Sequence, residues 1–324
     1  MNVLVTWRIP DIGIRLLEEQ FNVTVYQGNA PLNGSSLVQQ LEGMDGVLAI
    51  FHNRFTREVI EQLTTVKVIA NMAVGYDNID VAAATEKGIC VTNTPGVLTE
   101  ATADLAWALL LAVTRRVVEG DQVMRQDRFE GWDPLYMLGA ELYGKTIGIV
   151  GMGRIGTAVA RRSKGWDMSI LFTSRTPKPE VETALGARRV DFTTLLQESD
   201  IISVHTPLTE ETYHLFDRKA FQTMKKTAYL INTARGPVVD EEALIEALKS
   251  GEIAGAGLDV FEREPLAHPG LKALPNVVMT PHIGSATHET RNRMAEMAAR
   301  NLMDCLQGKR PAALVNPEVW NKTN

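Results

Sequence analysis

The sequence predicts an α/β protein in which two doubly wound parallel sheets carry helices on both faces. Short apolar runs alternate with polar, helix-forming segments, and this alternation begins again after a loop near Trp132. The chain has 324 residues, which is more than a single hydrophobic core normally organises. We therefore expect two domains of the same fold class.

The strands of the first half are predicted from five apolar runs, at residues 3–5, 23–26, 46–50, 66–71 and 90–92. Segments such as 11–20 and 57–63 are typical of the helices that connect parallel strands. A longer helix is predicted to begin with Thr99 as its N-cap and to end near Glu119.

The second half repeats the pattern, with strands predicted at residues 146–150, 169–173, 201–205, 228–232, 255–260 and 277–280. A last helix, from about Thr287 to Gln307, is long enough to cross back toward the first domain. We interpret the two halves as Rossmann-like or flavodoxin-like domains with a cleft between them.

The composition argues against several classes of protein. The formal net charge is −6 and no Lys/Arg run occurs, so no nucleic-acid partner is expected. The longest apolar stretch, residues 105–113, is too short to span a bilayer, and Arg8 and Asp11 do not fit a signal peptide. We expect a cytoplasmic protein with no membrane partner. The two cysteines, Cys90 and Cys305, lack metal-ligand spacing and cannot form a disulfide framework.

A glycine-rich loop predicts a dinucleotide site. Gly151, Gly153 and Gly156 form a G-x-G-x-x-G motif between the predicted strand 146–150 and a helix that begins near Arg154. The glycines permit a tight turn, so that a pyrophosphate can lie on the helix N-terminus. An ordinary glycine-rich turn is the alternative, but the flanking strand and helix favour the dinucleotide.

The end of the next strand indicates which nicotinamide cofactor is preferred. An NAD enzyme normally carries an acidic residue here for the ribose hydroxyls. This chain instead has Ser174, Arg175 and Thr176, and the next acidic residue is Glu180. Hydroxyl and guanidinium groups suit a 2′-phosphate, so the sequence favours NADP(H), with NAD(H) as the alternative. The competing interpretation of Arg175 is a solvated loop charge.

Three residues of catalytic type follow three predicted strands of the second half: Arg235, Glu264 and His282. Because the carboxyl ends of parallel strands share one edge of a sheet, all three are expected on the edge that carries the glycine loop. Reduction of a 2-oxo acid needs a cation for the carboxylate and a general acid for the nascent alkoxide. Arg235 and His282 fit these roles, and Glu264 would orient the imidazole.

Each of these residues also has an ordinary structural interpretation: a loop salt bridge, a turn residue or a buried histidine. Their shared edge favours the catalytic interpretation. No metal is expected, because the remaining histidines show no ligand spacing: His52, His205, His214, His268 and His288.

These motifs resemble those of the D-2-hydroxyacid dehydrogenase family over essentially the whole chain. The matching segments are residues 71–80 (NMAVGYDNID), 93–96 (NTPG), 151–156 (GMGRIG), 232–236 (NTARG), 257–261 (GLDVF) and 280–285 (TPHIGS). Within the family, the stretch 132–135 (WDPL) and the loop 174–176 are most similar to glyoxylate and hydroxypyruvate reductases.

The resemblance implies a reductase that converts small 2-oxo acids to D-2-hydroxy acids with NADPH. Arg235, Glu264 and His282 would be the catalytic set, and the backbone amides of Val74 and Gly75 would hold the substrate carboxylate. The residues implied to line the cofactor cleft, besides the glycine loop and residues 174–176, are Thr102, Arg154, Ile155, Thr206, Pro207, Thr233, Ala234, Asp259 and Gly284. One departure is the segment His205-Thr206-Pro207, where many members have an apolar residue before the proline.

The same resemblance implies the domain roles and a homodimer. Residues 1–97 and 287–324 would bind the substrate, and residues 98–286 would bind the cofactor and form the dimer interface. Trp132, in the loop before the cofactor strand, would either contact the substrate across the dimer or pack within its own subunit.

Two other functions fit the sequence less well. One is a dehydrogenase of the same fold for a bulkier 2-oxo acid or phosphite, and the other is a cofactor-sensing corepressor that works through protein contacts. The complete set of three catalytic residue types favours an enzyme of small 2-oxo acids.

Overall fold

The computed structural model describes residues 1–321, which form two compact units. The first unit contains Met1–Leu98 and the chain from Ser285 onward, and the second contains Thr99–Gly284. Each unit has one wholly parallel sheet, which confirms the predicted fold class.

The first unit is built on a five-stranded sheet of order β2-β1-β3-β4-β5, which is the flavodoxin-like order. Its strands are β1 Asn2–Val5, β2 Asn22–Val25, β3 Gly46–Ala49, β4 Val68–Asn71 and β5 Cys90–Thr92. Its helices are α1 Asp11–Glu18, α2 Gly34–Leu41, α3 Arg57–Gln62 and α4 Val81–Glu86, joined by α13 His288–Leu306 and α14 Pro317–Asn321.

Helix α13 packs closely on the first sheet and on α1. A β-carbon built on Gly13 of α1 would lie 3.0 Å from the carbonyl oxygen of Ala295 of α13, so a larger residue would push the two helices apart. Leu302 and Leu306 of α13 approach β3 at Gly46. All residues of β3, β4 and β5 are buried, as expected where both faces of a parallel sheet are covered.

The second unit is built on a seven-stranded sheet of order β12-β11-β10-β9-β6-β7-β8. Its strands are β6 Thr146–Val150, β7 Ser169–Thr173, β8 Arg188–Arg189, β9 Ile201–Val204, β10 Tyr229–Asn232, β11 Gly255–Leu258 and β12 Val277–Met279. The strand order reverses direction between β6 and β9, and ligands of such sheets bind at the carboxyl ends of the strands there.

The helices of the second unit lie before and between these strands. They are α5 Thr99–Thr114, α6 Val117–Arg125, α7 Arg154–Ser163, α8 Pro179–Leu185, α9 Phe192–Glu198, α10 Arg218–Thr223, α11 Glu241–Ser250 and α12 Pro269–Lys272. Short 3₁₀ turns follow at Lys164–Trp166 and Gly236–Val238.

The predicted helix from Thr99 to Glu119 is wrong in two respects. Thr99 is already helical, and the helix breaks after Thr114, where Arg116 adopts a left-handed backbone with φ of 55°. The amide of Ala140 donates to the carbonyl of Thr114 at 2.8 Å, so a returning loop caps the end of α5. The sequence gives no sign of this break, because apolar residues such as Val117 follow it directly.

The two-residue strand β8 was missed because neither of its arginines has strand character. Among residues 1–321, the helices lack the combination of length and apolar character that a bilayer span requires.

Candidate active site

The three loop glycines meet different surroundings. Gly151 has φ of 100°, and a β-carbon there would lie 2.6 Å from the carbonyl oxygen of His205. A β-carbon on Gly156 would lie 2.2 Å from the carbonyl oxygen of Gly151. At Gly153, by contrast, nothing lies within 4 Å. The outer two glycines are therefore dictated by packing, and the middle one leaves the open approach that a pyrophosphate needs.

A second observation fits a dinucleotide at this edge. The hydroxyl oxygen of Thr233, just after β10, is buried and has no hydrogen-bond partner within the described chain. A buried hydroxyl of this kind normally has a partner, and a ligand can supply it. The amide nitrogen of Thr206, after β9, lies 2.8 Å from the position of a β-carbon built on Gly151, and Pro207 follows it in the chain. Thr102 lies beside Gly284, 3.4 Å from the position of a built β-carbon.

His205 adds no positive charge to this edge. Although part of the residue is exposed, burial of its ring lowers its pKa to about 3. The neutral ring lies 2.8 Å from the hydroxyl of Ser203 through Nε2. Any attraction for a phosphate group must therefore come from elsewhere.

Two arginines lie at the loop after β7, although the sequence alone indicated only Arg175 there. Arg175 is exposed, and the hydroxyl of Ser174 donates to the carbonyl of Thr176 at 2.6 Å. Arg189 of β8 donates from Nη2 to the carbonyls of Ser174, at 2.9 Å, and Arg175, at 3.3 Å. Two guanidinium groups thus lie at one loop. Arg189 was missed because it is distant in sequence and its strand was not recognised.

Asn232, the last residue of β10, holds the turn that carries Arg235. Its side chain donates to the carbonyl of Arg235 at 2.9 Å and accepts from the amide of Ala234 at 3.0 Å. Gly236 then passes so close to the next segment that a β-carbon would lie 1.9 Å from the backbone carbon of Phe261. Only glycine permits this approach, which places the Arg235 turn against the segment leading to Glu264.

Glu264 and His282 form a direct pair. Nδ1 of His282 lies 2.8 Å from Oε2 of Glu264, and Oε1 of Glu264 accepts from the amide of Phe261 at 3.1 Å. Burial alone would raise the pKa of Glu264, but the contact with His282, together with smaller contributions from the Phe261 amide and Arg235, lowers it below its usual value. Glu264 is therefore ionised at neutral pH and stabilises a protonated imidazole.

The loop that presents His282 is held by Asp259. Its buried carboxylate accepts from the hydroxyl of Thr280 at 2.6 Å and from the amides of Ile283 and Gly284, both at 2.8 Å. His282 itself has φ of 52°, a left-handed backbone that a non-glycine residue adopts only when its surroundings enforce it. Burial raises the pKa of Asp259, and these hydrogen bonds partly offset that rise.

Two carboxylates clasp the segments that carry Arg235 and Glu264. Oε1 of Glu262 accepts from the amide of Glu241 at 2.8 Å, and Oε1 of Glu241 accepts from the amide of Glu262 at 2.9 Å. Glu241 is buried, so desolvation, reinforced by the charge of Glu262, raises its pKa, although the Glu262 amide opposes the rise. Nε2 of His214 lies 3.4 Å from the same oxygen of Glu262. The sequence suggested no role for this clasp.

Val74 and Gly75 lie in the first unit, after β4. Their carbonyl oxygens are held by side chains: Asn93 donates to Val74 and Asn71 donates to Gly75, both at 2.8 Å. Across residues 1–321, the amides of Val74 and Gly75 make no hydrogen bond. The turn therefore leaves two backbone N–H groups, those of Val74 and Gly75, available to donate to an anion.

Trp132 lies in the loop between α6 and β6, and 85% of it is exposed. Packing within its own subunit, one of the two expectations, is therefore not observed. The described residues contain no group of three or more His, Cys, Asp or Glu side chains arranged to hold a metal ion.

Known proteins resemble this chain over nearly its full length. A family model described as D-isomer specific 2-hydroxyacid dehydrogenase, NAD binding domain, matches residues 107–284. A glyoxylate reductase from Thermococcus litoralis is 52% identical over 322 residues, which cover 98% of this chain and 97% of that relative.

Two solved structures have the same fold over nearly all of their length. The TT0316 protein from Thermus thermophilus superposes with a TM-score of 0.91 at 48% identity, covering 97% of this chain and 100% of that one. An NADPH-dependent glyoxylate/hydroxypyruvate reductase from Sinorhizobium meliloti, in complex with NADP and malonate, gives a TM-score of 0.87 at 33% identity, covering 98% and 97%. From its sequence, its fold and these matches, the chain belongs to the D-2-hydroxyacid dehydrogenase family.

Proposed function

We propose that this oxidoreductase reduces glyoxylate and hydroxypyruvate with NADPH, and that the product is the D-isomer where the new alcohol carbon is a stereocentre. The observation that carries the proposal is the contact of 2.8 Å between His282 and Glu264, on the sheet that carries the glycine loop. Relatives named glyoxylate reductase, about half identical to this chain, support the substrate class.

In this mechanism a nicotinamide cofactor, held by the loop of Gly151, Gly153 and Gly156, would supply the hydride for the 2-oxo acid. Arg235 binds the substrate carboxylate with its planar fork and polarises the ketone. Nε2 of His282, the ring nitrogen opposite the Glu264 contact, donates the proton that the C2 oxygen needs. Glu264 fixes the tautomer of the imidazole and favours its protonated form before the transfer. The amides of Val74 and Gly75 also bind the carboxylate.

The proposed mechanism assigns the cofactor to one domain and the substrate to the other. We assign residues 98–286 to the cofactor, because they contain the glycine loop and the region that matches the NAD-binding family model. Residues 1–97 and 287–324 are assigned to the substrate. The remaining residues proposed to line the cofactor site are Thr102, Arg154, Ile155, Thr206, Pro207, Thr233, Ala234, Asp259 and Gly284.

NADPH is proposed over NADH because the end of β7 presents cations rather than a carboxylate. The exposed Arg175 and the neighbouring Arg189 offer charge-assisted hydrogen bonds to a 2′-phosphate. A solved relative is named as NADPH-dependent.

A homodimer is proposed from the exposed apolar side chains between α6 and β6. Phe129, Trp132, Leu135, Leu138 and Tyr143 are each about half exposed or more. A concentration of large apolar side chains on one surface segment is typical of a protein interface.

One assay tests the proposed function. The purified protein is mixed with NADPH and glyoxylate, and the nicotinamide absorbance is followed, with hydroxypyruvate, a bulkier 2-oxo acid and phosphite (with NADP⁺) as parallel substrates. Turnover with glyoxylate and hydroxypyruvate supports the proposal. Turnover only with a bulkier acid or with phosphite would identify another dehydrogenase. Binding of NADPH with no turnover of any substrate would support the corepressor.

A further inference from the structure

The only two cysteines of the chain lie next to each other in the folded protein. Cys90 is the first residue of β5, and Cys305 lies in the last turn of α13, 215 positions later. Both are free thiols, and each affects the pKa of the other, as side chains do only when they lie close together. Neither residue belongs to the proposed catalytic or cofactor machinery.

The packing of α13 on the first sheet explains why the two thiols meet. Cys90 pairs with Val68 on the neighbouring strand β4. A β-carbon built on Gly46 of β3 would lie 2.9 Å from Val68, 3.3 Å from Leu306 and 3.6 Å from Leu302. The last turns of α13 therefore lie over this part of the sheet, and Cys305 belongs to the same turn as Leu306.

The alternation of side chains along β5 agrees with this placement. Ile89 and Val91 belong to the hydrophobic core between the sheet and α2 to α4. Because successive side chains of a strand point to opposite faces, Cys90 points to the other face, which α13 covers.

We propose that Cys90 and Cys305 are an oxidative modification site, at which a peroxide converts the two thiols into an intramolecular disulfide. One thiol is oxidised to a sulfenic acid with release of one water, and the second thiol attacks that sulfur with release of another. In total, two thiols and one hydrogen peroxide give one disulfide and two waters. The cysteines lose two electrons, and the peroxide gains them. A thiol reductant reverses the change.

The two thiols are unequal in a way that favours this reaction. The hydrogen bond with Cys305 lowers the pKa of the Cys90 thiol although burial opposes it. The same contact, reinforced by burial and by the charges of Cys90 and Asp304, raises the pKa of Cys305. Cys90 is therefore the better thiolate and Cys305 holds the shared proton. Cys305 is only partly buried, which gives a small oxidant access to the pair.

The disulfide would join β5 to α13 next to the turn that holds Val74. One helical turn before Cys305, Asn301 donates to the carbonyl of Asn93 at 3.1 Å, and the side chain of Asn93 donates to the carbonyl of Val74. A crosslink that closes so long a loop restricts the unfolded chain, so it raises the melting temperature of the oxidised protein.

Mass spectrometry tests the proposal directly. The native protein is treated with hydrogen peroxide, denatured and alkylated with iodoacetamide, and its intact mass is compared with that of an untreated sample. We expect the untreated chain to take up two alkyl groups and the oxidised chain to take up none and to lose two hydrogens. Digestion should yield one linked peptide pair containing Cys90 and Cys305, which dithiothreitol separates.

Cys90→Ser and Cys305→Ser are the matched controls. In wild type, oxidation should raise the melting temperature by several degrees, and in either variant it should leave the melting temperature unchanged. Two alkylated thiols after oxidation, sulfinic acid in place of the linked peptide, or a crosslink only between two chains would each overturn the proposal. These readouts need no substrate, so they are independent of the proposed function.

Discussion

At the scale of single residues, the candidate site owes its geometry to side chains that hold Arg235 and His282 in place. Glu264 fixes Nδ1 of His282 at 2.8 Å, and Asp259 holds the loop in which His282 adopts a positive φ. Asn232 does the same for the turn of Arg235. Preorganisation of this kind allows a proton donor and a cation to act without first being ordered.

The first prediction concerns the proton donor. His282→Gln should lower kcat for glyoxylate about 100- to 10,000-fold, because a neutral amide cannot supply the proton. The Kd for NADPH should change little. Stopped-flow turnover and a fluorescence titration of NADPH measure the two effects. His268→Gln is the matched control, since His268 contacts Glu242 and not the candidate site. Unchanged turnover in His282→Gln would remove His282 from the mechanism.

The second prediction concerns pH. The pKa of Glu264 is lowered in the folded protein, so its carboxylate is charged throughout the neutral range and stabilises the protonated imidazole. Because the fold lowers this pKa, the Glu264 carboxylate loses its charge only under acidic conditions, and kcat/KM should fall on the acid side of the profile as it does. Glu264→Gln has no ionisable group at this position, so its kcat/KM should be lower at neutral pH and this acid limb should disappear. An acid limb that persists unchanged in Glu264→Gln would contradict the assigned role of Glu264.

The third prediction concerns the cofactor. One charge-assisted contact contributes about 1.5–3 kcal/mol, or about tenfold to a hundredfold in affinity. Arg175→Ala should therefore raise KM for NADPH by about that factor and leave KM for NADH nearly unchanged. Ser174→Asp should shift the preference toward NADH by repulsion of the phosphate. The measurement is the ratio of kcat/KM for the two cofactors. A wild-type ratio near one, unmoved by Arg175→Ala, would indicate that Arg175 points only to solvent.

At the scale of secondary-structure elements, the sequence predicted the repeated strands and helices. It missed the features that depend on hydrogen-bond partners distant in the chain. The strand–helix alternation located every strand longer than two residues, because buried parallel strands leave continuous apolar runs. The break after Thr114 and the strand at Arg188–Arg189 were missed, since both are set by backbone partners far along the chain. The clasp of Glu241 and Glu262 was missed for the same reason.

The fourth prediction tests that clasp. Glu262→Ala removes the side-chain acceptor for the amide of Glu241 and keeps only the reciprocal bond from the backbone, so we expect a loss of about 1–3 kcal/mol in the free energy of unfolding. Because the clasp joins the segments of Arg235 and Glu264, kcat should also fall. Chemical denaturation and steady-state kinetics measure both. The control is Glu246→Ala, which removes an exposed carboxylate from α11, the helix that begins at Glu241. Equal effects in the two variants would show that the clasp does not position the site.

At the scale of the whole molecule, the two sheets share parallel strands but differ in strand order, five strands in the flavodoxin-like order and seven in an extended Rossmann-like order. In the second unit the sheet brings the glycine loop, Arg235, Glu264 and His282 to the carboxyl edge of its strands. Topology alone therefore predicted which residues share an edge, whereas the distances between them required the folded structure.

The last prediction concerns Trp132 and a second copy of the chain. A tryptophan that is 85% exposed beside Leu135, itself 78% exposed, is poorly accommodated in an isolated subunit and well suited to the centre of an interface. Trp132→Ala should raise the dimer dissociation constant at least about thirtyfold, the equivalent of a 2 kcal/mol contact, and should alter the ratio of kcat/KM for glyoxylate and hydroxypyruvate. Analytical ultracentrifugation and steady-state kinetics measure the two effects. Ile12→Ala, on α1 of the other unit, is the control. A weaker dimer with unchanged substrate preference would make Trp132 an interface residue only, and an unchanged dimer would remove it from the interface.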